Sequence, residues 1–147
     1  MRALTMIFSM CVAMGLSLGV AAQTPKIPVV ASFSILGDMT RAIGGEHVHV
    51  SALVGPDEDA HTYEPTPDDA KALLNAKIII KNGLGFEPWL DRLVSSIETP
   101  GAIVTASKGV AAHTMEEDGE TIPDPHAWHN LTNAKLYVNN TTQALIK

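Results

Sequence analysis

Residues 27–54 read IPVVASFSILGDMTRAIGGEHVHVSALV, and the succession of patterns in this stretch sets the fold. Ile27-Pro28-Val29-Val30-Ala31-Ser32-Phe33 is a short apolar run rich in β-branched residues, the composition of a buried strand. From Ile35 to Ile43 the apolar residues fall at 35, 36, 39, 42 and 43, which is helical spacing, and Gly44-Gly45 stops it. From His47 to Val54 they return at every second position, as Val48, Val50, Ala52 and Val54, which is the period of a second strand. Strand, helix and strand in that order predict a parallel pair joined by a crossover helix.

The alternation continues downstream. Pro67 suits the first turn of a helix, where its missing N–H costs nothing, and Asp68 and Asp69 favour that end through the helix dipole. Ala70, Leu73, Leu74 and Ala76 carry the helix on. Lys77 to Lys81 encloses three isoleucines and predicts a third strand, with Asn82-Gly83 as the turn after it. Phe86, Trp89, Leu90, Leu93, Val94 and Ile97 form one stripe of an amphipathic helix, which Pro100-Gly101 ends. Ala102 to Thr105 predicts a fourth strand.

Residues 106–130 read as one long loop, with the acidic run Glu116-Glu117-Asp118-Gly119-Glu120 followed by Pro123-Asp124-Pro125. Residues 132–147 read as the beginning of another helix, capped by Thr132. The predicted fold class is therefore α/β: a parallel four-stranded sheet flanked by helices. Such sheets bind ligands at the carboxyl ends of their strands, the edge from which the loops after strands two and four depart.

The 147 residues carry 10 basic and 16 acidic side chains, a net charge of −6. That balance argues against nucleic acid and anionic membrane surfaces as partners. Arg2 precedes an uncharged, apolar stretch over residues 3–20, and Val20-Ala21-Ala22 supplies slim residues for cleavage. This pattern predicts a signal peptide over residues 1–22 and an extracytoplasmic, periplasmic destination. Gly15, Ser17 and Gly19 interrupt the run and no basic cluster follows it, which disfavours a membrane anchor. Cys11, the only cysteine, falls inside the presumed signal, so residues 23–147 can form neither a disulfide nor a thiolate site. What remains is one domain of ordinary size.

Two loop histidines have distinctive settings. One is Asp57-Glu58-Asp59-Ala60-His61-Thr62-Tyr63-Glu64-Pro65; the other is Asp124-Pro125-His126-Ala127-Trp128-His129-Asn130. Neutral imidazole is a good ligand for zinc and several other divalent ions. Asp59, Glu64 and Asp124 are close enough in sequence to accept the second ring N–H and fix the tautomer. Against this, a single histidine in a polar loop is usually just solvated, and the separation of these two matches no compact zinc-finger spacing. His47 and His49 share one face of strand two and read as surface residues. His129 could flank a site at His126. His113 lies in the acidic loop, a solvated charge run. Trp89 belongs to the helix stripe and reads as core, whereas Trp128 is expected to pack beneath the site. Tyr63 and Glu64 could support His61.

Several further blocks carry a resemblance: Ala31-Ser32-Phe33-Ser34-Ile35-Leu36-Gly37-Asp38, Ile43-Gly44-Gly45, Leu53-Val54-Gly55, His61-Thr62-Tyr63-Glu64-Pro65, Asn82-Gly83-Leu84-Gly85-Phe86-Glu87-Pro88-Trp89 and Asp124-Pro125-His126-Ala127-Trp128. In content and order they resemble the cluster A-I, or family 9, periplasmic metal-binding receptors of ABC transporters. That group includes zinc and manganese receptors and the so-called lipoprotein adhesins. The resemblance implies that His61 and His126 are two of four ligands to a divalent ion. It also implies two lobes joined by a long rigid helix, with the ion in the cleft between them.

On that scheme residues 23–131 form the N-terminal metal-binding lobe and residues 132–147 begin the connecting helix. The second lobe, with the other two ligands, is missing. The cargo expected first is Zn2+, with Mn2+ or Fe2+ as alternatives, since nitrogen ligands generally favour zinc over manganese. The expected partner is a membrane permease, and the expected state is a monomer without enzymatic activity. Two other functions compete. A metal-dependent hydrolase would use the open coordination position and Glu64, although no HExxH or nucleophile elbow is present. An adhesin-like interaction module is suggested by the label of some relatives alone.

Overall fold

In a computed structural model of the chain, residues 24–117 and 119–146 are described; the signal peptide expected over residues 1–22 lies outside them. Strand β1 (Ile27–Phe33) lies inside the sheet, and Val29 through Phe33 are all buried, as a strand covered on both faces requires. It pairs in parallel with β2 (Val48–Val54) on one side and with β3 (Ile78–Lys81) on the other. β4 (Ala102–Thr105) adds to β3, also in parallel, giving the order β2-β1-β3-β4. β2 is an edge, and along most of it buried or half-buried residues alternate with exposed His49 and Ser51.

Helix α1 (Ser34–Gly44) connects β1 to β2, α2 (Pro67–Asn75) connects β2 to β3, and α3 (Pro88–Ser96) connects β3 to β4. Right-handed crossovers put α1 on one face and α2 with α3 on the other. Contacts agree with this: α1 packs on β1, β2 and α4 (Leu131–Leu145), while α2 packs on β1 and α3. α2 begins with a complete capping box, in which Thr66 and Asp69 each bond the other's backbone N–H. The core between the layers includes Leu36, Leu73, Ile79, Leu90 and Tyr137.

Three expectations are corrected. The segment read as one long loop contains an antiparallel hairpin, β5 (Thr114–Glu117) with β6 (Glu120–Pro123), and a 3-10 turn over Ala127–His129. His47 sits in a 3-10 turn, Gly45–His47, ahead of β2, because the chain is still turning out of α1 there; it shares no strand face with His49. The cap of α4 is Asn130, whose side chain accepts the Thr132 N–H at 2.8 Å, so the helix starts one residue earlier than Thr132.

Chain direction reverses at the sheet's middle: β1 leads outward to β2, and the chain then returns to β3 on the other side. A crevice forms at the carboxyl edge of such a switch point. β1 ends there at Phe33, and the loops after β2, β3 and β4 all emerge along the same edge.

Candidate metal centre

His61 is delivered by the loop after β2 and His126 by the segment after the β5–β6 hairpin. The sheet brings them face to face: Nε2 of His61 lies 3.1 Å from Nε2 of His126. At zinc–nitrogen bond lengths of about 2.05 Å, nitrogens this far apart subtend an angle of roughly 100° at a shared ion, close to tetrahedral. The separation is that of two cis ligands of one cation.

The ring of His126 is fixed by its neighbour. Asp124 Oδ1 lies 2.8 Å from Nδ1 and also accepts the His126 backbone N–H at 2.9 Å. A carboxylate can only accept, so Nδ1 carries the proton and Nε2 keeps its lone pair for a cation. The His126 backbone N–H, and then its ring, hold the Asp124 carboxyl below the usual carboxylate range. Asp59 takes a different part from the one expected. It accepts the backbone N–H of His61 at 2.9 Å and the Thr62 hydroxyl at 3.2 Å, so it shapes the loop instead of fixing the ring. The His61 N–H likewise lowers its carboxyl.

An aromatic floor lies under the pair. Phe86 meets His61 edge-on at 4.5 Å between centroids and His126 at 5.8 Å. Trp128 packs on Phe86 at 5.1 Å, on Phe33 at 5.0 Å and on His126 at 5.4 Å, the place anticipated for it. A cleft of about 320 Å³ opens onto both histidines, walled by Leu84, Met115, Ile122 and Pro125, with Glu117 of the hairpin on its rim. Among the described residues no group of three or more His, Cys, Asp or Glu is placed to hold a metal ion. The two imidazoles can therefore bind a cation in part, leaving its other positions to water or to ligands from elsewhere.

Tyr63 does not touch His61 by a polar bond; its hydroxyl donates to Asp69 at 3.0 Å and its ring packs on Trp89 at 5.0 Å. Glu64 is exposed. His113 and His129 line a neighbouring recess with Asp124 and Asn133, outside the 320 Å³ cleft.

One feature was not visible as chemistry in the sequence. Glu87, 2% exposed, accepts the Ser32 hydroxyl at 2.9 Å, the Gly83 N–H at 3.1 Å and the Asn82 N–H. Burial pushes its carboxyl up, and the Asn82 and Ser32 bonds pull partly back. This anchor holds the loop from Asn82 to Glu87, in which Gly83, Leu84 and Gly85 all adopt positive φ. A Cβ on Gly83 would stand 2.5 Å from the Thr105 methyl, so glycine is required there. A polar residue just after an Asn-Gly turn gives no signal that its carboxyl folds back under it.

Fold and centre together define a class: an open parallel α/β domain that presents two facing imidazoles at its switch point, suited to receiving a cation. The family described as zinc-uptake complex component A, periplasmic (ZnuA), matches residues 29–147, and the chain belongs to it.

The manganese-binding lipoprotein MntA of Halalkalibacterium halodurans is 36% identical over 129 residues, covering 88% of this chain and 42% of that protein. The iron-binding protein YfeA of Yersinia pestis is 34% identical over 124 residues, covering 83% and 39%. Among solved structures, the Mn-bound periplasmic metal-binding protein from Candidatus Liberibacter asiaticus superposes with a TM-score of 0.74 at 37% identity, covering 82% of this chain and 45% of that one. The chain thus spans less than half the length of the curated relatives it matches. The family is one of solute-binding transport proteins, not of enzymes.

Proposed function

We propose that this chain is the metal-capturing lobe of an extracytoplasmic solute-binding protein that delivers a divalent cation to an ABC permease, with His61 and His126 as two ligands of the ion. The observation that carries this reading is the 3.1 Å approach of the two Nε2 atoms at the carboxyl edge of the sheet. Family membership supports the transport role. Residues 1–22 serve as the export signal, α4 begins the helix leading to a second lobe, and the receptor acts as a monomer. The missing ligands come from that second lobe.

Capture needs no covalent chemistry. With Nδ1 of His126 bonded to Asp124, its Nε2 is an acceptor, and the proton shared with His61 Nε2 is what a cation replaces. That proton moves to Nδ1 of His61, and because a protonated nitrogen cannot hold a cation, binding weakens as pH falls. Relatives are named for manganese and for iron and the family for zinc; two imidazoles suit each of these ions. Zinc is the first choice, because nitrogen ligands favour it over manganese.

The test is a calorimetric titration of the full chain with zinc and then manganese, beside the His61→Ala/His126→Ala double variant. Binding lost in the variant is the expected result. Equal affinity in both proteins would end the reading.

A further inference from the structure

The two candidate ligands sit on loops that are distant in sequence, yet the same short segment holds both. The residue before each histidine has its carbonyl oxygen captured by a buried side-chain N–H. Trp89 Nε1 donates to the Ala60 carbonyl at 2.7 Å, one residue ahead of His61. Asn82 Nδ2 donates to the Pro125 carbonyl at 2.9 Å, one residue ahead of His126. Phe86, between these donors in sequence, packs edge-on against both imidazoles. Residues 82–89 thus touch each ligand loop at the peptide that orients its histidine.

Asn82 is built for a fixed orientation. It is fully buried. Its Oδ1 accepts the Tyr137 hydroxyl at 2.7 Å, and its Nδ2 donates to the Gly83 carbonyl as well as to Pro125. Its backbone N–H goes to Glu87 and its carbonyl accepts the Ser107 N–H at 3.2 Å. Every donor and acceptor is used, so flipping the amide would break three bonds at once. Trp89 is equally constrained, 2% exposed, with its ring against Tyr63. Neither side chain reaches the space where an ion would sit between the Nε2 atoms through any bond shown; each acts on a backbone carbonyl.

We propose that Asn82 and Trp89 are positioning residues for metal capture, which set the separation of His61 and His126 by clamping the Ala60 and Pro125 carbonyls from one rigid segment. This rests on the reading of the two histidines as ligands. A loop ligand freed from such support must be reordered by the ion itself; loss of a partner bonded to the ligand ring lowers metal affinity by about 10–100-fold, and support one peptide away sets the lower end of that range.

Four variants of the full chain test it: Asn82→Asp, Trp89→Phe, His126→Ala, and Leu73→Ala as a core truncation on α2 outside the clamp. Asn82→Asp keeps the shape but turns the donor that faces Pro125 into an acceptor. Trp89→Phe removes the indole N–H. Each is titrated with zinc chloride against a chromophoric chelator, its melting temperature is measured, and its visible spectrum is recorded with cobalt(II), whose bands report ligand geometry.

The expected result is a zinc affinity lowered by about 10-fold in both Asn82→Asp and Trp89→Phe, with shifted cobalt bands. Leu73→Ala should melt lower yet keep affinity and spectrum. If Asn82→Asp fails to fold, Trp89→Phe carries the test. Wild-type affinity and an unshifted spectrum in folded clamp variants, where His126→Ala has lost zinc, would overturn the clamp and leave the ligand reading standing. An equal loss in Leu73→Ala would also overturn it, as general destabilisation. Unchanged zinc affinity in His126→Ala would remove the ligand reading, and the clamp with it.

Discussion

Tyr137→Phe deletes one oxygen from the most deeply packed aromatic ring of the domain. The residue is fully buried on α4, and its hydroxyl donates to Asn82 Oδ1 at 2.7 Å. The ring stays, so no cavity larger than that oxygen opens. What changes is that the buried amide oxygen of Asn82 loses this donor, a loss of about 1–3 kcal/mol. For a domain of this size about 1 kcal/mol moves the midpoint of thermal unfolding by about 4 °C, so the variant should melt roughly 4–12 °C lower at neutral pH.

The loss depends on pH in a defined direction. Burial, and then the Glu87 charge, push the Tyr137 phenol up to about 12 from its ordinary 10.0, with Ser107 pulling the other way. Between those values the folded chain keeps a proton that the unfolded chain gives up. The wild type therefore loses stability as pH rises through this window, and Tyr137→Phe does not. Tyr63 is common to both proteins and cancels. Melting followed by circular dichroism at pH 8 and pH 11 should show the gap narrowing at the higher pH. An equal melting temperature at pH 8, or a gap that widens with alkali, would refute this account of the Tyr137–Asn82 bond.

Other consequences follow from the same geometry. The chain has 2 tyrosines, and burial first pushes the Tyr63 phenol up to about 12 as well, so absorbance at the tyrosinate band should rise in the folded chain at a higher pH than in the chain unfolded by denaturant. The Glu87 carboxyl is also raised in the fold, which means the folded chain holds the extra proton and stability falls as pH rises above the ordinary glutamate range. Denaturant titrations from pH 4 to pH 7 should show that fall, set against the other carboxyls, flattened in Glu87→Gln. Gly83→Ala places a methyl 2.5 Å from Thr105 Cγ2 at a φ of +83°, and should destabilise by more than about 1 kcal/mol in the same denaturant assay.

The parallel architecture was legible because its signals are local and periodic. Val29–Phe33, the alternation in β2 and the Ile78–Ile80 run each declare themselves within one element, and four strands and their crossovers appear where the patterns put them. The hairpin was hidden by its composition: Glu116, Glu117 and Glu120 have low strand propensity, and the charged run reads as loop. One signal was available. The sequence between Glu117 and Glu120 reads Asp-Gly, a favoured hairpin dipeptide.

At the centre, the local settings of His61 and His126 were weak signals and the family resemblance singled the pair out; the sheet does bring them together. Their supports were another matter. Asp124 lies two residues from His126 and could be named from sequence, whereas Asn82, Trp89 and Tyr137 act across separations that only folding closes. The tyrosine expected to help His61 is instead drawn to Asp69 by the geometry of the α2 capping box.

The most direct test of the central claim is a zinc-loaded crystal of the chain, with anomalous diffraction recorded at the zinc edge. The account predicts one dominant peak about 2.0–2.1 Å from both Nε2 of His61 and Nε2 of His126, its other positions filled by water. A peak in the recess beside His113 and His129 instead, or none between the two imidazoles at saturating zinc, would contradict it.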